Sequence, residues 1–423
     1  LLVLPECAYP AYLLGSIESY RSGEHLSSDQ FVTWLGRQAA DYGVHVVCGY
    51  VEDTGDGLFN SAILLGPDGR VIGRTRKRFL WHVDHDWFTA GDQIAVFETA
   101  IGRIGAIICA EARVPEIIAT LAAGGAELIV MPTCWINTSR QPGEYYNPQS
   151  DYLIEARARE FGLPFVCADK CGLEITTGYV GQSCIAGADG ITIVRAPAAG
   201  EALVVSTLEP RPAPPLWMNG ARRTRLLDHR STTLPDRTSP RHVTIAAVST
   251  AFANSQFTGG MGESLFNPLR QQGVDTLIAN MPLEATAERL TMLARAFDIH
   301  AAAFPLRTDL MDLGPARVGC MAGQWLRSFA PARVLALDGA EVLVYFDAAD
   351  LTLLRTRALE NRVFVVGVDG EASAIIGPDG GILADGTAQT AAIARVDLAE
   401  ASDKHVAPRT DIFAERRVGL YRF

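Results

Sequence analysis

Residues 103–116 read RIGAIICAEARVPE: an apolar run climbs to Cys109, and Glu111, Arg113 and Glu116 follow within seven positions. A thiolate is a strong nucleophile, but a free cysteine with a pKa of about 8.5 is only a few per cent ionised at neutral pH. A cysteine closing a strand just before a helix that opens near Pro115 stands where open α/β sheets carry their sites. Thiols after apolar runs are also common as small core residues, so position alone does not decide between the two. The frame returns at 317–330 as RVGCMAGQWLRSFA, with Gly323 in the place of Cys109.

The elements that must position such a thiol are short. β-type runs occur at 45–51, 61–66, 70–76, 103–109, 127–132, 164–169, 191–196 and 202–209, with helical spacing at 115–125 and 151–162. GPDG at 66–69 is a turn signal between two strand-like runs, which predicts a β-hairpin over 60–77. Strands and helices mixed in this way, with hairpins among them, predict a layered α/β sandwich.

The two halves repeat each other. A shift of 214 positions lays 103–132 on 317–346 without a gap, and nine of thirty positions are identical, including Arg113/Arg327 and the GAE at 125–127 and 339–341. EARARE (155–160) then meets RTRALE (355–360), SCIAGADG (183–190) meets SAIIGPDG (373–380), and MNGARRTRLLD (218–228) rhymes with ERRVGLYRF (415–423). An ordered series of matches is the mark of an internal duplication. It predicts a first domain over 1–228, a polar linker over 229–241 and a second domain over 242–423. The chain opens on LLVLPE, already inside an apolar strand, so the first domain is expected to lack its first strand and helix here. The second half is also shorter between its LIANMP strand (277–282) and RVGC, and the hairpin is mostly gone from it.

Composition narrows the partners. The 423 residues are 48% hydrophobic and 20% charged with a net charge of −11 and no basic run, which argues against nucleic acid. No apolar stretch reaches membrane-spanning length. Eight cysteines at 7, 48, 109, 134, 167, 171, 184 and 320 form no CxxC pair, which favours a reducing, cytoplasmic setting over a disulfide framework. His82 and His85 have metal-ligand spacing but no companion cluster, so no metal and no cofactor is expected.

Three motifs in order carry a resemblance. LPE at 4–6, FNSAILLGPDGRVIGRTRKRFL at 59–80 and RIGAIICAEARVPE resemble the nitrilase, or carbon–nitrogen hydrolase, superfamily across nearly the whole first half. The resemblance implies an αββα sandwich, twice in one chain, and a triad of Glu6, Lys77 and Cys109. Glu6 would take the thiol proton, pass it to the leaving amine and later activate water, and Lys77 would face the developing oxyanion. Members also carry a further acidic residue. HVDHDWFTAGD (82–92) puts Asp84 in that role, with Asp86 as the alternative, and departs from the usual text by Asp for Glu and by Ala90 for proline.

Arg113 matches a position where several carboxylate-binding members keep an arginine, although Arg327 stands there in the half without a cysteine. Trp135 could wall the pocket. In the second half Gly323 replaces the cysteine, Met281 or Leu283 the glutamate, and no hairpin lysine remains. That half is expected to be inert and to act as an internal partner in a pseudo-dimer, with further homo-oligomerisation left open. The expected activity is hydrolysis of a small amide or N-carbamoyl substrate through a Cys109 thioester. Ala110 stands where nitrile-cleaving members usually have tryptophan, so a nitrile is the second choice; acyl transfer on the same site and a non-catalytic binding scaffold are the alternatives.

Overall fold

A computed structural model describes residues 1–139, 141–215, 220–228, 239–257, 263–279, 300–303 and 309–423. It divides into two compact units. One comprises Leu1–Leu216, Ala407–Asp411 and Glu415–Phe423; the other comprises Trp217–Val406 and Ile412–Ala414.

The first unit holds two sheets. Strands β1 (Leu2–Val3), β2 (Val46–Asp53), β3 (Leu58–Leu65) and β4 (Val71–Arg76) form one, in that order. Pairing is parallel between β1 and β2 and antiparallel from β2 to β4, so the 60–77 hairpin is present as expected. Strands β5 (Val96–Thr99), β6 (Gly102–Ala106), β7 (Leu128–Thr133) and β8 (Phe165–Asp169) belong to the other. The hairpin β9 (Cys171–Glu174) and β10 (Thr177–Val180) stands apart, and β11 (Cys184–Ala186) and β12 (Thr192–Arg195) complete the second sheet in the order β12-β11-β8-β7-β6-β5. Its centre, β6-β7-β8, is parallel.

Helices cover the outer faces. Helix α1 (Ile17–Ser22) leads into α2 (Ser28–Tyr42), which starts at a Ser27/Gln30 capping box and ends at Gly43 with φ +63°. Its Phe31, Leu35 and Ala39 pack on Val46, Cys48, Ile63 and Leu65, an apolar stripe at helical spacing meeting one face of β2 and β3. On the opposite side lie α4 (Pro115–Ala123), with proline in its first turn, and α5 (Ile154–Phe161); the short α3 (Asp84–Trp87) follows the hairpin. With helices outside and two sheets inside, β2 is buried over seven of its eight residues, and VVCGYV shows no polar alternation before Glu52.

The second unit repeats the plan. It contains α6 (Gly220–Leu226), β13 (His242–Val248), α7 (Thr250–Phe257), α8 (Glu263–Gln271), β14 (Thr276–Ala279), β15 (His300–Ala303), β16 (Asp309–Leu313), β17 (Ala316–Ala322), α9 (Phe329–Leu337), β18 (Val342–Phe346), α10 (Leu351–Asn361), β19 (Phe364–Val368), β20 (Ser373–Ile376), β21 (Ile382–Gly386) and β22 (Ala392–Asp397). Its sheets run β15-β14-β13-β22 and β16-β17-β18-β19-β20-β21. Side chains alternate along β13: Val243, Ile245 and Ala247 enter the core between the sheets, while Ala246 and Val248 meet Leu265, Phe266 and Leu269 of α8.

The duplication extends to individual bonds. Arg103 N donates to Glu127 Oε2 at 2.9 Å, and Arg317 N to Glu341 Oε2 at 3.0 Å. Arg157 Nε donates to Ala112 O at 2.8 Å, and Arg357 Nε to Leu326 O at 3.1 Å.

Two features differ from the sequence expectation. The run 202–209 forms no strand, and Leu203 and Val205 are 77% exposed. Its counterpart β22 is held by β13, and the first unit has no strand at that position among the described residues; β propensity without a ladder partner does not make a strand. The matching tails also group across the halves. Helix α6, from 218–228, lies in the second unit, where Arg225 Nε donates to Asp338 Oδ1 at 2.7 Å. Residues 415–423 lie in the first, where Arg416 Nε is 3.2 Å from Glu116 Oε1 and Arg422 N donates to Thr120 Oγ1 at 3.1 Å.

Candidate active site

Glu6 follows β1, Lys77 follows β4 and Cys109 lies just beyond β6, so three strand ends deliver the three side chains. Glu6 Oε1 accepts from Lys77 Nζ at 2.7 Å and from Asn60 Nδ2 at 2.6 Å. Its Oε2 accepts from Cys134 Sγ at 2.8 Å. A Glu6 carboxylate oxygen and the Cys109 and Cys134 sulfurs all lie within 4.8 Å of one another. Asp84 Oδ2 stands 2.7 Å from Lys77 Nζ and accepts Trp81 N–H at 2.8 Å. Glu6 and Asp84 are fully buried and Lys77 nearly so, while Cys109 keeps 7% exposure.

The backbone is strained at this point. Cys109 has φ +48°, Cys7 beside Glu6 has φ +41°, and His82 before Asp84 has φ +39°. Non-glycine residues in the left-handed region are uncommon and persist where surrounding structure holds them. The crowd of charges around Cys109 supplies the hold. Glu111 caps the turn by accepting Ile108 N–H at 2.8 Å, and it receives both Arg78 N and Arg78 Nε at 2.7 Å. This buried pair fastens the residue after Lys77 to the turn that carries the thiol.

Electrostatics divides the carboxylates. Burial pushes Glu6 up, but the Lys77 charge and the bonds from Cys134, Lys77 and Asn60 outweigh it and hold the carboxyl below its ordinary range. Burial, opposed by Lys77 and reinforced by Glu6, leaves Asp84 raised. Burial works against the Lys77 ammonium, yet Asp84 and Glu6 lift it well above the ordinary lysine value. An ionised carboxylate and a fixed ammonium thus stand beside a thiol, a combination suited to nucleophilic acyl chemistry.

The carbon–nitrogen hydrolase model matches residues 1–211 and 321–405. The chain belongs to this family. Among curated members, a probable nitrilase of Schizosaccharomyces pombe is 28% identical over 222 residues, 52% of this chain and 79% of that protein. A nitrilase of Pyrococcus abyssi is 32% identical over 188 residues, 44% and 68% respectively, and an (R)-stereoselective amidase of a Pseudomonas species is 30% identical over 172 residues, 41% and 59%. Among solved structures, a carbon–nitrogen hydrolase from Helicobacter pylori G27 aligns with a TM-score of 0.43 at 22% identity, covering 47% of this chain and 74% of that one.

In this carbon–nitrogen hydrolase, Arg113 lies over the Trp81 ring at 4.9 Å, and Trp81 in turn donates its backbone N–H to Asp84. Trp135 has no exposed surface; its backbone N donates to Asp169 Oδ1 at 2.7 Å. Asp86 pairs with Arg409 at 2.8 Å and stands on the exposed side of α3, away from the carboxylate that meets Lys77. The sequence assigns no role to Asn60, Cys134, Arg78 or Glu111, although Glu111 stands among the charges that follow Cys109. Cys134 closes the apolar ELIVMPT run as Cys109 closes RIGAII, which is the signal that was there to read.

The second unit keeps the turn and not the sulfur. A 3-10 helix over Gly323–Arg327 repeats the one over Cys109–Arg113. A Cβ at Gly323 would lie 2.3 Å from Asp347 O, so no cysteine fits there without moving the backbone. Met281 and Leu283 lie outside the described residues.

Proposed function

We propose that the chain hydrolyses a small amide or N-carbamoyl compound through a thioester on Cys109. The observation that carries this is the placement of one carboxylate, Glu6, against the Lys77 ammonium at 2.7 Å and within 4.8 Å of the Cys109 sulfur. Glu6 takes the Sγ proton, and the thiolate attacks the carbonyl carbon. Lys77 donates to the oxygen that becomes anionic, a contact of a kind worth about 3–4 kcal/mol in the transition state. The C–N bond breaks as Glu6 returns the proton to the leaving nitrogen. Glu6 then deprotonates water, whose attack releases the acid and restores the thiol. Asp84 orients Lys77 in this scheme, and Arg113 is proposed as a pocket residue, with the fully buried Trp135 packed behind the site.

Ala110 after the nucleophile favours an amide over a nitrile, and the relatives include both amidases and nitrilases. Ammonia release from a panel of amides, carbamoyl amino acids and nitriles tests the scheme, with Cys109→Ala as the blank. Release that survives this substitution overturns it.

The second unit is proposed to be inert and to stand where a second copy would otherwise pack, a reading supported by the duplicated bonds and by Gly323. Activity carried by a single chain at high dilution in sedimentation is the expected result. Activity found only in species of two or more chains would remove this part. Eight free cysteines support a reducing compartment, and no described helix is long and apolar enough to cross a membrane.

A further inference from the structure

We propose that Glu6, Cys109 and Cys134 form a binding site for a soft divalent cation such as Zn²⁺ or Cd²⁺, and that filling it reversibly silences the nucleophile. Their ligand atoms lie within 4.8 Å of one another, and ligands around one tetrahedral zinc are about 3.7 Å apart for Zn–S bonds of about 2.3 Å. Small side-chain movements therefore suffice. Among the described residues this is the one group of three such ligands. Two thiolates select soft and borderline cations, and zinc also accepts a carboxylate oxygen beside them.

The surroundings are already arranged. Lys77 and Asn60 hold Glu6 Oε1, so the carboxylate is oriented and its Oε2 is left toward Cys134. Partners of this kind, one step behind the ligands, fix geometry and raise affinity. Cys109 keeps 7% exposure, the most among the three ligands. The balance is simple. Two S–H bonds are exchanged for two metal–sulfur bonds, two protons leave to solvent, and nothing is oxidised or reduced. Two thiolates and one carboxylate exceed the dication by one negative charge, and the Lys77 ammonium, shared with Asp84, faces it from 2.7 Å. With its sulfur lone pair committed to the metal, Cys109 cannot attack a carbonyl.

Nothing in the hydrolytic scheme calls for a thiol at position 134, and the cation site does not depend on turnover. The test uses the full chain and Cd²⁺ alone, read by the ultraviolet thiolate-to-cadmium absorbance. Saturation at a single equivalent is expected, with Zn²⁺ abolishing the band by displacement. Cys134→Ser and Cys109→Ser should each weaken binding by at least about tenfold. Cys171→Ser, which removes the one cysteine that is not buried, should leave the band unchanged. Zn²⁺ should also protect Cys109 from iodoacetamide, as mapped by mass spectrometry, and a chelator should restore alkylation. No band in the unaltered protein, a band lost only in Cys171→Ser, or alkylation of Cys109 indifferent to Zn²⁺ each overturns the site. These readouts need no substrate, so ammonia release without a cadmium band removes the cation site alone, and a band without ammonia release removes the hydrolase alone.

Discussion

Asp84 Oδ2 stands 2.7 Å from Lys77 Nζ, and the two side chains are 0% and 1% exposed. Lys77 also meets Glu6 at the same distance, so one buried ammonium is shared by two carboxylates. Removing the Asp84 charge loses a charge-assisted bond worth about 1.5–3 kcal/mol, which converts to about a 10- to 100-fold fall in kcat if the whole of it acts on the transition state. Asp84→Asn is expected to show that fall with KM little changed, and Asp84→Glu, the residue more usual in the family, to recover part of it. Steady-state kinetics on the best amide checks this, and an unchanged kcat in Asp84→Asn removes Asp84 from the machinery.

In the proposed scheme Cys109 and Glu6 act on one proton, so their loss should not add. Cys109→Ala and Glu6→Gln are each expected to lower kcat by about a thousandfold or more, and the double variant to be no worse than the lower single. Intact-mass spectra should show a covalent adduct with a slow amide at Cys109 in the unaltered chain and none in Cys109→Ala. An adduct on Cys134 would transfer the role of nucleophile to that thiol.

Glu6, Lys77 and Cys109 are legible in the sequence because each sits in a short local text: a strand end, a hairpin end and a strand-to-turn step. The residues that complete the site were not legible, since they depend on which strand ends meet in space. Cys134 touches Glu6 across 128 positions, and Arg78 reaches Glu111 across 33. The run 202–209 departs from its expected strand for the same reason. Its apolar residues suit a strand, but pairing belongs to a partner and not to the segment. The tails behave alike: their shared text marks them as equivalent, while only packing shows that 220–226 joins the second unit and 415–423 the first.

Asp169 ties the backbone behind the site, accepting Trp135 N–H at 2.7 Å and Gly181 N–H at 2.8 Å. Burial pushes its carboxyl up to about 8 despite these bonds. A carboxyl raised on folding binds its proton more tightly in the native state. Its contribution is complete below the ordinary carboxylate range and is lost as pH rises toward 8. The thermal midpoint is therefore expected to decline from about pH 5 to pH 8, with a shallower slope in Asp169→Asn. Equal slopes would show that Asp169 does not carry the effect.

Gly323 is the point where the second unit refuses a side chain. A Cβ there would meet Asp347 O at 2.3 Å and Asp347 C at 2.7 Å, and backbone atoms cannot swing aside as a side-chain tip can. Gly323→Ala is expected to destabilise the protein by about 1–3 kcal/mol. Gly323→Cys should do the same without adding any turnover to the Cys109→Ala background. Urea unfolding and ammonia release measure the two outcomes. A neutral Gly323→Ala would mean that this turn yields, and that the missing sulfur is a matter of sequence and not of space.

Arg409 reaches the active-site turn from the C-terminal segment. Its guanidinium donates to Asp86 Oδ1 at 2.8 Å and to His82 O at 3.1 Å, while Thr410 Oγ1 accepts His82 N–H at 2.8 Å. These contacts clamp the residues on either side of Asp84, so their loss should loosen Lys77 without touching it. Both partners are about half exposed, and the change in thermal midpoint for Arg409→Ala is expected to be small. The change in kcat should be larger in proportion, about 2- to 10-fold, because small misplacements at a reacting centre are costly. Arg409 holds Asp86 below its ordinary range, so the clamp is made above that range and lost as pH falls through the lowered value. Added salt should weaken it too. The unaltered chain should accordingly lose kcat with salt faster than Arg409→Ala does, and parallel salt curves would show that the tail does not position Asp84.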